Sequence, residues 1–214
     1  MTPPEARPGP GQDRAASPPR IAVLISGSGS NMVRLVEAMQ ARPDLGVVAL
    51  VVSNLPGVAG LGKARALGVP THVVDHRAYA GDRARFETVL TGVLSEARTD
   101  VLCLAGFMRI LTAPFVSRYA ARMLNIHPSL LPKYRGLDTH SRALAAGETE
   151  HGCTVHLVTP ELDDGPVLGQ GTVPVLADDT PETLAKRVQA MEHRLYPAVL
   201  YRYLEGTKAP LHLS

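Results

Sequence analysis

Ile21-Ala22-Val23-Leu24-Ile25-Ser26-Gly27-Ser28-Gly29-Ser30-Asn31 is the stretch on which the fold turns. Its first five residues are all apolar, the pattern of a strand buried on both faces, and such strands belong to parallel sheets covered by helices. The glycine-serine turn that follows opens a helical pattern near Asn31 to Ala41, so the segment reads as strand, tight turn and helix start. Glycines let a ligand approach the backbone, the first amides of a helix lack carbonyl partners, and Ser and Asn side chains add donors. That combination suits a phosphate. The same residues also fit a turn that only packs a helix on a strand.

Working outward, short apolar runs at Val47 to Val52, His72 to Val74, Val101 to Ala105 and Met123 to Ile126 alternate with helical patterns near Val58 to Leu67, Asp82 to Ala97 and Ala113 to Ala121. Alternation of this kind predicts a Rossmann-like, doubly wound α/β fold with a mostly parallel sheet and helices on both faces. Thr154 to Val158 and Val167 to Val175 read as strands joined by the polar turn Pro160 to Pro166, which predicts an antiparallel C-terminal edge. A closing C-terminal helix begins after Asp179, with Thr180 as N-cap, Pro181 at the first position and Glu182 following. Leu184, Val188, Met191, Leu195 and Val199 share one face of it. Residues 1–19, with six prolines and little to bury, read as a flexible tail, and 206–214 as a short C-terminal tail.

The chain has 214 residues, 45% hydrophobic and 20% charged, enough for one compact domain. A net charge of +2, with its Lys and Arg scattered, gives no nucleic-acid footprint. There is no apolar run of membrane-spanning length, and the N-terminal segment has no signal-peptide core. The two cysteines, Cys103 and Cys153, form neither a disulfide framework nor a metal-ligand spacing, so a reducing, cytoplasmic setting without a metal is expected.

Two absences narrow the phosphate ligand. The loop lacks the Gly-Lys-Ser/Thr of a triphosphate site and the third Gly of a dinucleotide fingerprint, and the second strand ends Val52-Ser53-Asn54 without the acidic residue that holds an adenosine ribose. A phosphomonoester fits better. In Met123-Leu124-Asn125-Ile126-His127, strand alternation points Asn125 and His127 to the same side, at the carboxyl end of a central strand. Alone, His127 reads more readily as a satisfied core or surface histidine, and Glu161-Leu162-Asp163-Asp164-Gly165-Pro166 as a solvated acidic turn. If the fold brings Asp163 to His127, the carboxylate favours the charged imidazolium, a donor suited to a developing oxyanion. Spacing does not establish that pairing.

Three phrases carry a family resemblance: the Ile25 to Asn31 turn, Leu104-Ala105-Gly106-Phe107-Met108-Arg109-Ile110-Leu111, and Leu124-Asn125-Ile126-His127-Pro128-Ser129-Leu130-Leu131-Pro132-Lys133-Tyr134. With His151 to Val158 and Leu162 to Leu168, the sequence from Ile21 to Tyr201 resembles the glycinamide ribonucleotide formyltransferases, a branch of the folate-dependent formyltransferases. The resemblance implies a formyltransferase domain over 20–205 that moves a formyl group from 10-formyltetrahydrofolate, as co-substrate, to the amine of glycinamide ribonucleotide. It implies catalytic roles for Asn125, His127 and Asp163, a phosphate site at Gly29, Ser30 and Asn31, and contacts from Gln189 and Glu192 to the rest of that substrate. The folate is expected across Met108, Arg109, Ile110 and Leu111, beside Asn125, and along Thr159, Pro160, Glu161, Leu162 and Asp163, with Arg83 at its glutamate tail. A monomer or homodimer with small-molecule partners is expected, with no nucleic acid, membrane or metal.

Arg135 stands where this family usually has proline, Asp138 where many members have histidine, and Asp164 where glycine is common. The Tyr134-Arg135-Gly136 wording is similar to methionyl-tRNA formyltransferase, but the sequence offers no further C-terminal domain for tRNA. A formyltetrahydrofolate hydrolase would carry an extra N-terminal domain that the Pro-rich segment does not supply. A non-catalytic phosphoribosyl-ligand module would not need Asn125, His127 and Asp163 together.

Overall fold

The computed structural model of the protein describes residues 17–214. Of the segment read as an N-terminal tail, residues 1–16 lie outside the described residues, while Pro19 already accepts a hydrogen bond from the Val47 amide at 2.9 Å.

Eight strands form one sheet: β1 (Arg20–Ile25), β2 (Val47–Ser53), β3 (Thr71–Val73), β4 (Val101–Leu104), β5 (Met123–His127), β6 (Glu150–Leu157), β7 (Val167–Pro174) and β8 (Leu211–Leu213), in the order β3-β2-β1-β4-β5-β6-β7-β8. The first five run parallel, β6 is antiparallel to both β5 and β7, and β8 lies parallel to β7. Helices α1 (Ser30–Ala41), α2 (Ala59–Ala66), α3 (Arg83–Glu96), α4 (Ala113–Arg118), α5 (Thr139–Ala145) and α6 (Pro181–Leu204) complete the fold.

Alternation along the strands makes two cores. Ile21, Val23 and Ile25 of β1 join Met32, Leu35, Leu184 and Leu195 under α1 and α6, whereas Ala22 and Leu24 join Phe86, Leu90, Leu94 and Phe115 under α3 and α4. A run that reads as uniformly apolar is thus two half-cores sharing a backbone. β1 sits between β2 and β4, where the chain's crossovers turn in opposite directions, the place such sheets open a crevice at their carboxyl ends.

Helix α6 begins as its sequence signals indicate. Thr180 Oγ1 accepts from the Thr183 amide at 3.3 Å and Thr183 Oγ1 accepts from the Thr180 amide at 2.9 Å, a reciprocal cap with Pro181 beside it. Four readings differ from the structure, the first being β6, which begins at Glu150 rather than Thr154. Helix α4 stops at Arg118 rather than running to Ala121, which adopts a left-handed φ of 56° that a helix does not continue through. Helix α5 was not read from the sequence, because in seven residues it buries only Thr139 and Ala143, too little for a helical period to show. In the segment read as a C-terminal tail, Leu211 and Leu213 are drawn onto the first core and their strand extends the sheet. No helix among the described residues is long and apolar enough to cross a membrane.

Candidate active site

The turn after β1 wraps Gly29, at φ 68°, so that a Cβ there would lie 2.8 Å from Gly60 Cα. Only glycine fits both the backbone angle and that approach of α2. Gly27 accepts from the Gly60 amide at 3.0 Å and Ser28 accepts from Lys63 Nζ at 2.9 Å, so α2 braces the turn from behind. Helix α1 then starts at Ser30 with no side-chain cap, leaving its first amides without helical partners.

The closing helix meets this turn across the sheet end. Gln189 Nε2 donates to Ser30 Oγ at 3.2 Å, and Asn31 Nδ2 donates to Glu192 Oε2 at 2.7 Å. Burial pushes the Glu192 carboxyl up, opposed by that Asn31 donor. Asn31 Oδ1 is buried without a protein partner, an acceptor available to a ligand hydroxyl or amine. Ser30, Asn31, Gln189 and Glu192, expected to share one substrate, therefore stand together. Ser26 departs from the simple picture of a loop of donors, since its hydroxyl turns away to Asn54 Oδ1, at 2.5 Å.

The second polar centre lies on the other face. Leu124 and Ile126 of β5 enter the first core, so Asn125 and His127 point to the opposite side, where Met123 joins the second. His127 is 5% exposed. Its Nε2 lies 2.9 Å from the Tyr134 carbonyl oxygen, which can only accept, so Nε2 carries a hydrogen. Its Nδ1 lies 3.4 Å from Asp163 Oδ2, and the same carboxylate oxygen accepts from the Gly136 amide at 2.9 Å. Spacing left the His127–Asp163 pair open, and the structure brings it together through a loop whose Asp163 sits at φ 49°.

That loop is held by a glycine. A Cβ on Gly165 would fall 1.7 Å from the Leu157 carbonyl oxygen, so the chain crosses the end of β6 in direct backbone contact. The segment from Pro128 to Lys133 is fixed as firmly. Thr154 Oγ1 donates to Ser129 O at 2.6 Å and accepts from the Leu131 amide at 3.0 Å, Ser129 Oγ donates to Lys133 O at 2.6 Å, and the Leu131–Pro132 bond is cis.

His156 is a member of the site that the sequence reading missed. The β5–β6 register sets it opposite Asn125. Its Nδ1 is 2.8 Å from the Leu157 carbonyl and so carries the ring hydrogen, which leaves Nε2 to accept from Asn125 Nδ2 at 3.1 Å. Burial pushes this imidazole down, toward the neutral form that role needs, against the opposing pull of the Leu157 carbonyl and Asp163. Alternation in Thr154-Val155-His156 gave its face, but only the strand register gives its neighbour.

Beside this centre runs the strip Phe107 to Leu111. Phe107 and Leu111 pack on the second core, whereas Met108 and Ile110 are 68% and 62% exposed. Its far end is tied to α3, where Glu87 accepts from the Thr112 amide at 2.7 Å and from its hydroxyl. Arg83 is exposed on the first turn of α3, one turn before Glu87. Thr159 is part-buried, and Pro160, Glu161 and Leu162 are exposed along the loop that ends at Asp163. Neither cysteine is a nucleophile: burial pushes Cys103 up to about 12 and Cys153 up as well.

A helix start open to an anion, and a His-Asp pair beside an oriented amide at the end of β5, give one end of a doubly wound sheet the groups that suit polar group transfer. Residues 19–200 match the family described as formyl transferase. Phosphoribosylglycinamide formyltransferase of Escherichia coli is 47% identical over 186 residues, covering 87% of each chain. The crystal structure of glycinamide ribonucleotide transformylase 1 from Symbiobacterium toebii superposes with a TM-score of 0.85 at 42% identity, covering 88% of this chain and 89% of that one. The trifunctional purine biosynthetic protein adenosine-3 of Bos taurus is 47% identical over 187 residues, and the match spans 18% of that much longer protein. The chain belongs to the formyl transferase family and, within it, to the phosphoribosylglycinamide formyltransferases.

Proposed function

We propose that this protein transfers the formyl group of 10-formyltetrahydrofolate to the amine of glycinamide ribonucleotide, yielding tetrahydrofolate and formylglycinamide ribonucleotide on the de novo route to IMP. The observation that carries the reading is the His127–Asp163 pair beside Asn125, at the same sheet end as the Ser30–Asn31 helix start. In this reading Gly29, Ser30 and Asn31 take the phosphate and Gln189 and Glu192 the rest of the nucleotide. The folate lies along Met108, Arg109, Ile110 and Leu111 and the Thr159–Asp163 loop, with Arg83 toward its glutamate tail.

The neutral amine attacks the formyl carbon, a C–N bond forms, and the carbonyl electrons move onto oxygen. Asn125 Nδ2 has one hydrogen committed to His156 and one left for that oxyanion. His127 Nε2 holds the other donor, now on the Tyr134 carbonyl, and a full oxyanion is the stronger acceptor. One such donor contributes about 3 kcal/mol to the transition state in other enzymes. Asp163, 3.4 Å from Nδ1, orients the ring. Collapse restores the carbonyl and breaks the bond to N10, while the proton lost from the amine reaches N10 through water. The steps need no metal and no covalent link to the protein. The protein works in the cytoplasm as a monomer or homodimer on small molecules, without nucleic acid or membrane.

A spectrophotometric assay of 10-formyltetrahydrofolate tests this. Formyl loss only when glycinamide ribonucleotide is present is the expected result, whereas equal loss without it would make the protein a hydrolase.

A further inference from the structure

Ser26 follows β1 and opens the phosphate loop, yet its amide and its hydroxyl oxygen both meet the segment that leads into the strip. Its amide donates to Gly106 O at 3.1 Å, its hydroxyl donates to Asn54 Oδ1 at 2.5 Å, and the same oxygen accepts from the Met108 amide at 2.7 Å. A serine hydroxyl has one hydrogen, and with that committed to the buried Asn54 its lone pair is aimed at Met108 without freedom to rotate. Gly106, at φ 73°, turns the chain back so that the Met108 amide arrives there.

The strip from Phe107 to Leu111 is thus fixed at two points by its backbone, Met108 on Ser26 and Thr112 on Glu87, while Met108 and Ile110 point outward. Only the first anchor belongs to the phosphate loop. The next two residues of that loop, Gly27 and Ser28, are bonded to α2 through Gly60 and Lys63, so an anion settling on the amides of 28–31 draws on a backbone already clamped on one side. Ser26 is the residue of the loop that is bonded to the strip.

We propose that Ser26 is a positioning residue that couples the two binding regions: an anion on the phosphate loop tightens binding of the formyl donor on the strip. This rests on the reading above that the strip receives the folate. Coupling of this kind is reciprocal, and a factor of about 5 lies at the lower end of what linked sites show.

Calorimetric titration with tetrahydrofolate, with inorganic phosphate or with chloride at matched ionic strength, reads it directly. The native protein is expected to bind tetrahydrofolate about 5-fold more tightly with phosphate. Ser26→Thr, which keeps the hydroxyl, preserves that ratio. Ser26→Ala brings it to about 1 and raises the KM for 10-formyltetrahydrofolate while kcat stays within about twofold. Glu87→Gln loosens the far anchor and weakens tetrahydrofolate equally with and without phosphate. A ratio unchanged in Ser26→Ala, or lost in Glu87→Gln, overturns the coupling. Ile110→Asp separates the two claims: unchanged tetrahydrofolate binding there removes the folate from the strip and the coupling with it. Weakened binding beside an intact ratio in Ser26→Ala overturns the coupling alone.

Discussion

The phosphate loop and the His127 centre stand at the carboxyl end of one sheet but are assembled in opposite ways. The loop is a continuous run, Ser26 to Asn31, whose shape follows from one strand, one glycine and one helix start, with α2 and α6 added around it. The His127 centre takes two residues from β5, Asn125 and His127, one from β6, a carbonyl from the turn after β5 and a carboxylate from the loop after β6. Local sequence dictates the first, and antiparallel register dictates the second. In the proposed reading one region binds and the other transforms, so single changes should separate the two.

The largest separation is expected from His127→Ala, which removes the partner of Asp163 and, in the proposed reading, a donor to the oxyanion. Turnover should fall about 1,000-fold while the nucleotide's dissociation constant, measured by calorimetry, moves less than about threefold. Comparable loss of both would mean that the two regions are one. Gly165→Ala attacks the second region through its backbone. The new Cβ would stand 1.7 Å from the Leu157 oxygen and 3.2 Å from Thr159 Cγ2, so the loop must lift and carry Asp163 from His127. A displacement near 1 Å costs about 100-fold in kcat, again with phosphate binding kept.

Gly29→Ala is the matching lesion in the first region. It forces a side chain to φ 68° and against Gly60 Cα at 2.8 Å, a strain of about 1–2 kcal/mol or more. The KM for glycinamide ribonucleotide should rise about 10-fold, with kcat at saturation within about threefold of the native value. A fall in kcat with unchanged KM would place the phosphate elsewhere.

The contrast in assembly also says what a sequence can disclose. Ile21 to Ile25 announced a buried strand, Gly29 and Ser30 a helix open to anions, and Thr180-Pro181 the start of α6, because each signal lies within one turn of its effect. Asn125 and His127 were visible as a same-face pair for the same reason. The contact of His127 with Asp163 depends on a loop 36 residues further on crossing β6 at Gly165, and the Asn125–His156 bond on which residue of β6 lies opposite. Neither has a local signature. The last strand, Leu211 to Leu213, was equally silent, since three residues carry no period.

Acid should destabilise the fold at the start of β6, where His151 lies. His151, at 1% exposure, is held down to about 4 from 6.5, chiefly by burial and then by neighbouring His140, whose own imidazole burial also lowers. Their rings meet edge to face, with His151 Nε2 3.2 Å from His140 Nδ1. A histidine lowered in the folded state takes up its proton first in the unfolded chain. Stability is therefore complete above about pH 6.5 and is lost as pH falls from there toward 4. The loss attributable to His151 should reach about 3 kcal/mol, seen as a falling thermal midpoint. His151→Gln should flatten that part of the profile, and an unaltered slope would assign the acid sensitivity to other groups.

Arg135 and Asp164 provide the smallest expected effect and the finest test of the comparison. The family resemblance marks both as departures, and they meet: the Arg135 guanidinium is hydrogen-bonded to the Asp164 carboxylate, joining the turn that carries Tyr134 to the loop that carries Asp163. The position invites a catalytic reading, but the side chains are 42% and 44% exposed, and an exposed pair contributes at most about 1 kcal/mol. The Gly136 amide already holds Asp163 directly, at 2.9 Å, and Arg142 Nη1 donates to the Arg135 carbonyl at 2.7 Å whatever side chain residue 135 bears. Arg135→Ala should therefore lower kcat less than about threefold, with Asp164→Ala and the double variant equal to it and the difference fading in high salt. A loss of 10-fold or more, restored by exchanging the two residues, would show that this region depends on a side-chain bridge where the backbone contacts were taken to suffice.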